Sequence, residues 1–249
     1  MTDDYLLALD KIGFIPGPDE DEASFLLGVN ETKARFDSGD WIPESHWHWV
    51  REHLGAMFNV KPLYICAFYS NRNLTPWQGA ASWIEGRALH SIQLKNKLRK
   101  GTYLGIYSRE EILAHEAVHA VRSGFNEDRY EEFFAYMASS SRWRRVLGPI
   151  VERPWEIYPF LIFSFCGTLF PYLYWASLLW VSMGFLRLLK RHRTLKKALS
   201  RVKSLKVLLR LTDREIEIFA KGQDIQAYAS AESSLRWRVL RHYLQEIYD

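Results

Sequence analysis

The chain contains very little cysteine, with only Cys66 and Cys166 among its 249 residues. Small secreted domains that depend on disulfides carry several paired cysteines, and a structural zinc site of the cysteine type needs clustered thiolates. Two cysteines far apart in apolar surroundings provide neither. The sequence therefore predicts a protein of a reducing compartment without a disulfide framework.

The N-terminal segment 1–22 has no basic stretch followed by an uninterrupted apolar run. A secretory signal peptide requires both features, so we expect none. The Asn30 and Asn73 triplets of the N-x-T type are then not expected to carry glycans. Internal repeats and low-complexity tracts are also absent from the sequence, which excludes solenoid and fibrous classes.

Acidic residues are missing from Ile157 to Thr212, whereas Lys and Arg are frequent from Arg187 onward. This asymmetry indicates contact with an anionic surface, either lipid or nucleic acid. The segment 157–186 carries no charge at all, and its length exceeds the roughly 20 apolar residues that one membrane span needs. Gly167 and Pro171 lie where a hairpin would turn.

We therefore predict a hydrophobic membrane hairpin at 154–189 that contacts membrane lipid through 157–186. Basic residues on both flanks favour placing both flanks on the cytoplasmic face, which gives a membrane location with the catalytic part on the cytoplasmic side. The alternative is a buried hydrophobic hairpin in a soluble protein. The basic helix after the segment fits an anionic membrane surface or an ordinary solvated helix.

What the chain does contain is enough apolar material for a core, with 48% hydrophobic and 15% aromatic residues. Residues 80–95, AASWIEGRALHSIQLK, predict a β-hairpin turning at 85–87, because apolar and polar residues alternate in its second arm. Helical patterns surround it. The predicted class is α+β: a small antiparallel or mixed sheet with helices, then the hydrophobic hairpin and a basic helical C-terminal region. The predicted domains are 1–153, 154–189 and 190–249.

The stretch SREEILAHEAVHAVRSG, 108–124, has the pattern of a capped helix. Ser108 stands three residues before Glu111, the spacing of a capping box, and Gly124 is placed to end the helix. We expect a second helix, capped by Asn126, to run from Glu127 to about Ser140. One side of the first helix is apolar, with small residues that permit close packing, namely Leu113, Ala114, Ala117, Ala120 and Val121.

The same helix carries H-E-x-x-H, with His115, Glu116 and His119. Residues four apart project side by side on a helix, so the two imidazoles can bind one Zn²⁺. Glu116 points about 100° away from His115 around the helix, where it can act as a general base toward a zinc-activated water. The alternative is a structural helix that carries two surface histidines.

A catalytic zinc site needs a third protein ligand, and Glu131 and Glu132 both follow within a short loop and a helical turn. Together these motifs resemble the gluzincin group of zinc metallopeptidases over residues 88–140. The resemblance implies a third ligand that opens an E-x-x-A-D pattern. The sequence Glu132-Phe133-Phe134-Ala135 matches the first four positions of this pattern, so the resemblance selects Glu132 as the third ligand. At the fifth position the sequence departs from the pattern, because it has Tyr136 in place of the acid.

Tyr136 replaces the acid with which that family orients the first histidine. It lies one turn beyond Glu132, where it could steady a ligand or donate to an oxyanion, or serve packing alone. The resemblance also implies that the strand before the helix, ALHSIQL at 88–94, is an edge strand that pairs with extended peptide.

The expected function is a membrane-associated zinc metalloendopeptidase that hydrolyses peptide bonds, with His115, His119 and Glu132 as metal ligands and Glu116 and Tyr136 as catalytic residues. Its substrate is a peptide or protein. The alternative is a regulatory protein without catalytic activity, which binds membrane or nucleic acid and has a structural or degenerate metal site. The C-terminal segment 211–244 resembles a helix-turn-helix only loosely, which makes nucleic acid the weaker partner.

Overall fold

The computed structural model describes residues 1–75, 78–85 and 88–248. The predicted α+β class is confirmed, since helices surround a three-stranded and a two-stranded sheet. The strands are β1 (Ala67–Tyr69), β2 (Ala80–Glu85), β3 (Ala88–Leu94), β4 (Thr102–Tyr103) and β5 (Tyr107–Ser108). The helices are α1 (Asp3–Lys11), α2 (Glu22–Ser38), α3 (His48–Phe58), α4 (Arg109–Val121), α5 (Glu131–Met137), α6 (Arg142–Leu147), α7 (Ile157–Cys166), α8 (Leu173–Val202), α9 (Leu205–Leu209), α10 (Asp213–Ala220), α11 (Ile225–Ala231) and α12 (Leu235–Tyr248).

The larger sheet has the strand order β1-β3-β2. β2 and β3 pair antiparallel, as the predicted hairpin requires, while β1 joins β3 in parallel. The predicted turn residues Gly86 and Arg87 lie outside the described residues. The prediction that 88–94 is an edge strand is wrong, because β3 lies between two partners. Among the described strands, β2 is the edge that faces α4.

Helix α4 begins where the sequence predicts. Ser108 caps it, and its hydroxyl accepts the Glu111 N–H at 3.1 Å. The Glu111 carboxylate does not return to Ser108 but binds Ser140 and Arg144 instead. The predicted apolar side is confirmed as the core-facing side, and it packs against α3 and the sheet through Leu113, Ala114, Ala117, Ala120 and Val121.

Helix α5 starts later than the prediction. Asn126 adopts the left-handed conformation at φ 50° and does not cap α5, and Glu127 accepts the Asp213 N–H at 2.8 Å. The helix runs from Glu131 to Met137, so the predicted helix from Glu127 to Ser140 is wrong at both ends. The loop 126–130 is held against the C-terminal part of the chain, which places Glu131 in the first turn of α5.

The C-terminal helices pack onto the N-terminal part around one buried ion pair. Arg210 donates to the Asp10 carboxylate at 2.7 and 2.6 Å, and both side chains are fully buried. The Tyr243 hydroxyl donates to Asp10 at 2.8 Å, and Arg210 donates to the Phe58 carbonyl at 3.0 Å. This Asp10–Arg210 network (Asp10, Arg210, Tyr243 and the Phe58 carbonyl) joins α1, α3 and α12.

The uncharged segment 157–186 forms the short helix α7 and the first part of α8, which pack against each other. The turn between Gly167 and Tyr172 limits α7 to 10 residues, about 15 Å, and α8 contains Arg187 and Lys190. None of the described helices has the length and apolar character needed to cross a membrane. The predictions of a transmembrane helix and of a membrane location, with a cytoplasmic catalytic part, are therefore wrong.

The α7–α8 hairpin is joined internally by polar contacts. The Ser164 and Ser177 hydroxyls lie 3.1 Å apart, and the Trp180 indole donates to the Glu156 carbonyl at 3.0 Å. Its outer face remains apolar and exposed, with Phe165 at 75%. Helix α8 continues without a break through position 190, and the predicted division into three domains stays a prediction.

Candidate metal centre

Helices α4 and α5 bring three candidate ligands together. His115 and His119 lie one turn apart on α4, and their Nε2 atoms approach to 3.3 Å. Glu132, in the first turn of α5, places its Oε2 3.5 Å from His115 Nε2 and its Oε1 3.5 Å from His119 Nε2. The structure thus brings together the three residues selected from the sequence, and one ligand atom from each lies within 4.8 Å of the others.

These spacings fit tetrahedral zinc. Ligand atoms about 2.0–2.1 Å from a tetrahedral centre lie about 3.3–3.4 Å from one another. In this His–Glu cluster (His115, His119 and Glu132) the two Nε2 atoms lie 3.3 Å apart, and each lies 3.5 Å from a different oxygen of the Glu132 carboxylate. The side chains are 15–25% exposed, so the cluster is open on one side. The donor set of two imidazoles and a carboxylate is that of catalytic zinc sites, which keep one position for water or substrate.

The electrostatics of the cluster also fit a cation. Burial and the neighbouring His119 hold the pKa of His115 well below its ordinary value, so its ring is neutral. Burial raises the pKa of Glu132 to about 7. Burial alone would lower the pKa of His119, but the hydrogen bond with Glu131 and the nearby carboxylates raise it to about 9. The site therefore favours positive charge at its centre.

Glu131 orients the second histidine. The His119 Nδ1–H donates to Glu131 Oε1 at 3.2 Å, which leaves Nε2 free to face the other ligands. Arg122 donates to Glu131 Oε2 at 2.7 Å and is itself fully buried. Burial alone would raise the pKa of Glu131, but the charge of Arg122 and the His119 hydrogen bond lower it. Such a carboxylate–histidine pair fixes the tautomer and the direction of a ligand.

Arg122 connects this pair to the C-terminal region. One guanidinium nitrogen donates to the carbonyl of Leu209 and, at 3.3 Å, to that of Leu211. The segment that links α9 and α10 therefore supports the His–Glu cluster through Arg122 and Glu131. The C-terminal helices contribute to the geometry of a site that lies entirely on α4 and α5.

A cleft of about 220 Å³ lies beside the cluster, lined among others by His115, Glu116 and Tyr136. Glu116 is 9% exposed, and the Ser82 hydroxyl of β2 donates to its Oε2 at 2.6 Å. Glu116 is thus held between the edge strand and the ligands. Its position beside the open side of the cluster is that required of a general base.

Tyr136 packs its ring against His115, with ring centroids 4.7 Å apart and planes at 72°. Its other side covers Gly148, where any Cβ would collide with the ring. Burial raises the pKa of Tyr136, so the hydroxyl remains a proton donor at neutral pH. These contacts fit a residue that steadies His115, and its role as an oxyanion donor stays a prediction.

The far end of the cleft is closed by an ion pair. Glu111, one turn before His115, accepts the Ser140 N–H at 2.8 Å and contacts Arg144. Burial alone would raise the pKa of Glu111, but the hydrogen bonds from Ser140 and the charge of Arg144 lower it. Glu111 is therefore an ion-paired wall of the cleft and not a further metal ligand.

The sequence did not predict three supporting roles in the site: the contact of Ser82 with Glu116, the orientation of His119 by Glu131, and the contact of Arg122 with Glu131. A signal existed for Arg122, because it follows His119 by three residues and so lies on a neighbouring position of the same helix face. Ser82 carried no local signal, since its contact depends on how β2 packs on α4.

Comparison with known proteins gives no relative for this chain. No protein-family model, no curated protein and no solved structure matches it.

Proposed function

We propose that this protein is a zinc-dependent metalloendopeptidase. The observation that carries the proposal is the His–Glu cluster, in which the two Nε2 atoms lie 3.3 Å apart and each faces one Glu132 oxygen at 3.5 Å, at the edge of a cleft that also contains Glu116. The resemblance of residues 88–140 to gluzincins supports the same reaction class. No other arrangement of His, Cys, Asp and Glu in the described part of the chain offers comparable ligands.

The residues of the site have distinct roles in this proposal. His115, His119 and Glu132 would hold zinc, which when bound supplies a Lewis acid that polarises a carbonyl and acidifies water. Glu116 accepts the proton of the attacking water and delivers it to the leaving amine. The hydrogen bond from Ser82 fixes the Glu116 carboxylate in the cleft. Tyr136 is placed to donate a hydrogen bond to the developing oxyanion.

The edge strand β2 gives the substrate its binding surface. Its outer edge lacks a strand partner among the described residues, and Ser82 in its middle contacts Glu116. An extended peptide that pairs with β2 would pass the general base with its backbone. The substrate strand is thus β2, whereas the sequence pointed to β3.

The regulatory alternative finds less support in the last helix, α12. On α12, Arg236 is buried and donates twice to Glu215, at 2.8 and 2.9 Å, and Arg238 donates to Asp3 at 2.8 Å. These guanidinium groups serve the fold and do not form a free surface for nucleic acid. The helix-turn-helix likeness of this segment therefore supports no nucleic-acid function.

The experiment is to measure hydrolysis of a quenched-fluorescence peptide library by zinc-loaded wild type and Glu116→Gln. The substitution keeps the shape of the side chain and removes the base, so we expect activity to fall about 10²–10⁴-fold. Bound zinc, measured in the same preparation, should be unchanged. Glu110→Gln is the matched control, because Glu110 lies on the same helix, pairs with Arg109 and does not line the cleft.

Full activity of Glu116→Gln would refute the proposed mechanism. Loss of activity together with loss of zinc would assign Glu116 to metal binding and contradict its role as base. Unchanged activity of Glu110→Gln shows that the loss is specific to the cleft.

A further inference from the structure

A second cavity, which shares no lining residue with the cleft, lies between α8, α10 and the loop before α5. Its volume is about 520 Å³, within the range of about 300–1,000 Å³ that small-molecule sites occupy. Glu217 is the single carboxylate among its lining residues. Six lining residues are cationic: Arg129, Arg187, Lys190, Arg191, Lys197 and Lys221.

The cations on α8 form one stripe. Lys190 and Arg191 lie three and four residues after Arg187, and Lys197 lies seven residues after Lys190, which places all four on one face of the helix. Like charges at such spacing repel one another and cost a few tenths of a kcal/mol per pair. The sequence offers no acid on α8 to offset them, since Asp and Glu are absent from 157–212.

The arginines of this basic groove (the lining residues of the second cavity) are already engaged. Arg129 is paired with Glu217. Arg187 donates to both oxygens of Glu156, at 2.8 and 2.7 Å, and Arg191 contacts Glu152. These carboxylates hold the arginine side chains in place. The paired arginines therefore form a rigid wall of the groove.

The lysines are different. Lys190, Lys197 and Lys221 are exposed at the groove, and their ammonium groups make no hydrogen bond or ion pair within the described part of the chain. They approach it from two helices, α8 and α10. Three free ammonium groups around a concave surface form a receptor for an anion with several oxygens.

We propose that the basic groove binds a diphosphate group, either as free pyrophosphate or as part of a nucleoside diphosphate. Two linked phosphates offer enough oxygens to reach lysines on both helices, which a single carboxylate does not. Arg129 and Arg191, held by their partners, provide a fixed cationic wall behind the ligand. The proposal does not rest on the zinc site, because none of these residues belongs to it.

The test is calorimetric titration of the full chain with inorganic pyrophosphate. We expect one site per chain in the wild type. Lys197→Gln and Lys221→Gln should each weaken binding about tenfold or more, as the loss of one charge-assisted hydrogen bond does. Lys196→Gln is the matched control: Lys196 is adjacent and exposed, carries the same charge, and does not line the groove. Circular dichroism melts of each variant separate lost binding from lost folding.

A parallel titration with ADP distinguishes the two sources. Tighter binding of ADP than of pyrophosphate would identify a nucleotide, and equal or weaker binding of ADP would identify a free diphosphate. The proposal is overturned if wild type does not bind pyrophosphate, or if Lys196→Gln weakens binding as much as Lys197→Gln does. It is also overturned if an oligonucleotide binds while pyrophosphate and ADP do not.

Discussion

Two clusters of titratable side chains in this molecule differ in how their atoms face one another. In the Asp10–Arg210 network, donors meet acceptors: guanidinium and hydroxyl groups point at a carboxylate over 2.6–2.8 Å. In the His–Glu cluster, three groups that can bind a metal converge: two imidazole Nε2 atoms lie 3.3 Å apart, and each lies 3.5 Å from an oxygen of the Glu132 carboxylate. The first cluster pairs opposite charges with each other, whereas the second gathers ligand groups that could share one cation.

The two clusters also differ in how deeply they are buried. Asp10 and Arg210 are 0% exposed, which is tolerable because each charge is neutralised by the other. His119 and Glu132 are 15% and 25% exposed and border a cleft. A closed cluster of opposite charges serves stability, while an open cluster of ligand groups with shifted pKa values at a cleft marks a candidate binding site. The predictions below test this distinction.

The largest effect is expected from breaking the closed cluster. Asp10→Ala leaves Arg210 buried without its counter-charge, so the free energy of unfolding should fall by about 3–5 kcal/mol. Urea denaturation followed by circular dichroism measures it. Asp3→Ala, which removes an exposed partner of Arg238, should cost less than about 1 kcal/mol. Equal losses in both variants would contradict the structural role of the Asp10–Arg210 network.

A smaller effect is expected from loosening the open cluster. Glu131→Gln weakens the hydrogen bond that directs His119, so zinc affinity should fall about 10–100-fold. Competition with a chromophoric zinc chelator measures this affinity. Glu217→Gln removes a carboxylate that is also paired with an arginine but lies away from the cluster, and it should leave the affinity unchanged. An unaltered affinity in Glu131→Gln would refute the orienting role.

The open cluster should also respond to pH through zinc binding. The pKa of His119 is raised to about 9 in the absence of metal, so below that pH zinc must displace a proton. Affinity should therefore rise about tenfold per pH unit between 7 and 9 and level off above 9. Below 7 the dependence steepens, because Glu132, whose pKa is raised to about 7, also carries a proton. An affinity that is constant from pH 7 to 9 would contradict this picture.

Local signals in the sequence predicted more of the site than of the fold around it. The cap at Ser108, the apolar back of α4 and the spacing of His115 and His119 depend on helix geometry alone, and the structure shows all three. Glu132 required a resemblance to select it over Glu131. The structure places both residues at the cluster, one facing the ligand position and one facing His119 Nδ1.

What the sequence did not predict depends on tertiary packing. The strand order that makes β2 the edge follows from β1 pairing with β3, which local alternation cannot specify. The error about the membrane came from counting uncharged residues across the turn at 167–172, which separates α7 from α8. The contacts of Arg122 and Arg210 join positions far apart in the chain, and no periodicity encodes them.

The central claim is that His115, His119 and Glu132 hold one zinc ion. The most direct measurement is zinc content by mass spectrometry after equilibrium dialysis, for wild type and Glu132→Ala, with Glu110→Ala on α4 as the control outside the cleft. The account predicts one zinc per chain in wild type and control, and none in Glu132→Ala. Wild type without zinc, or Glu132→Ala with as much zinc as wild type, would contradict it.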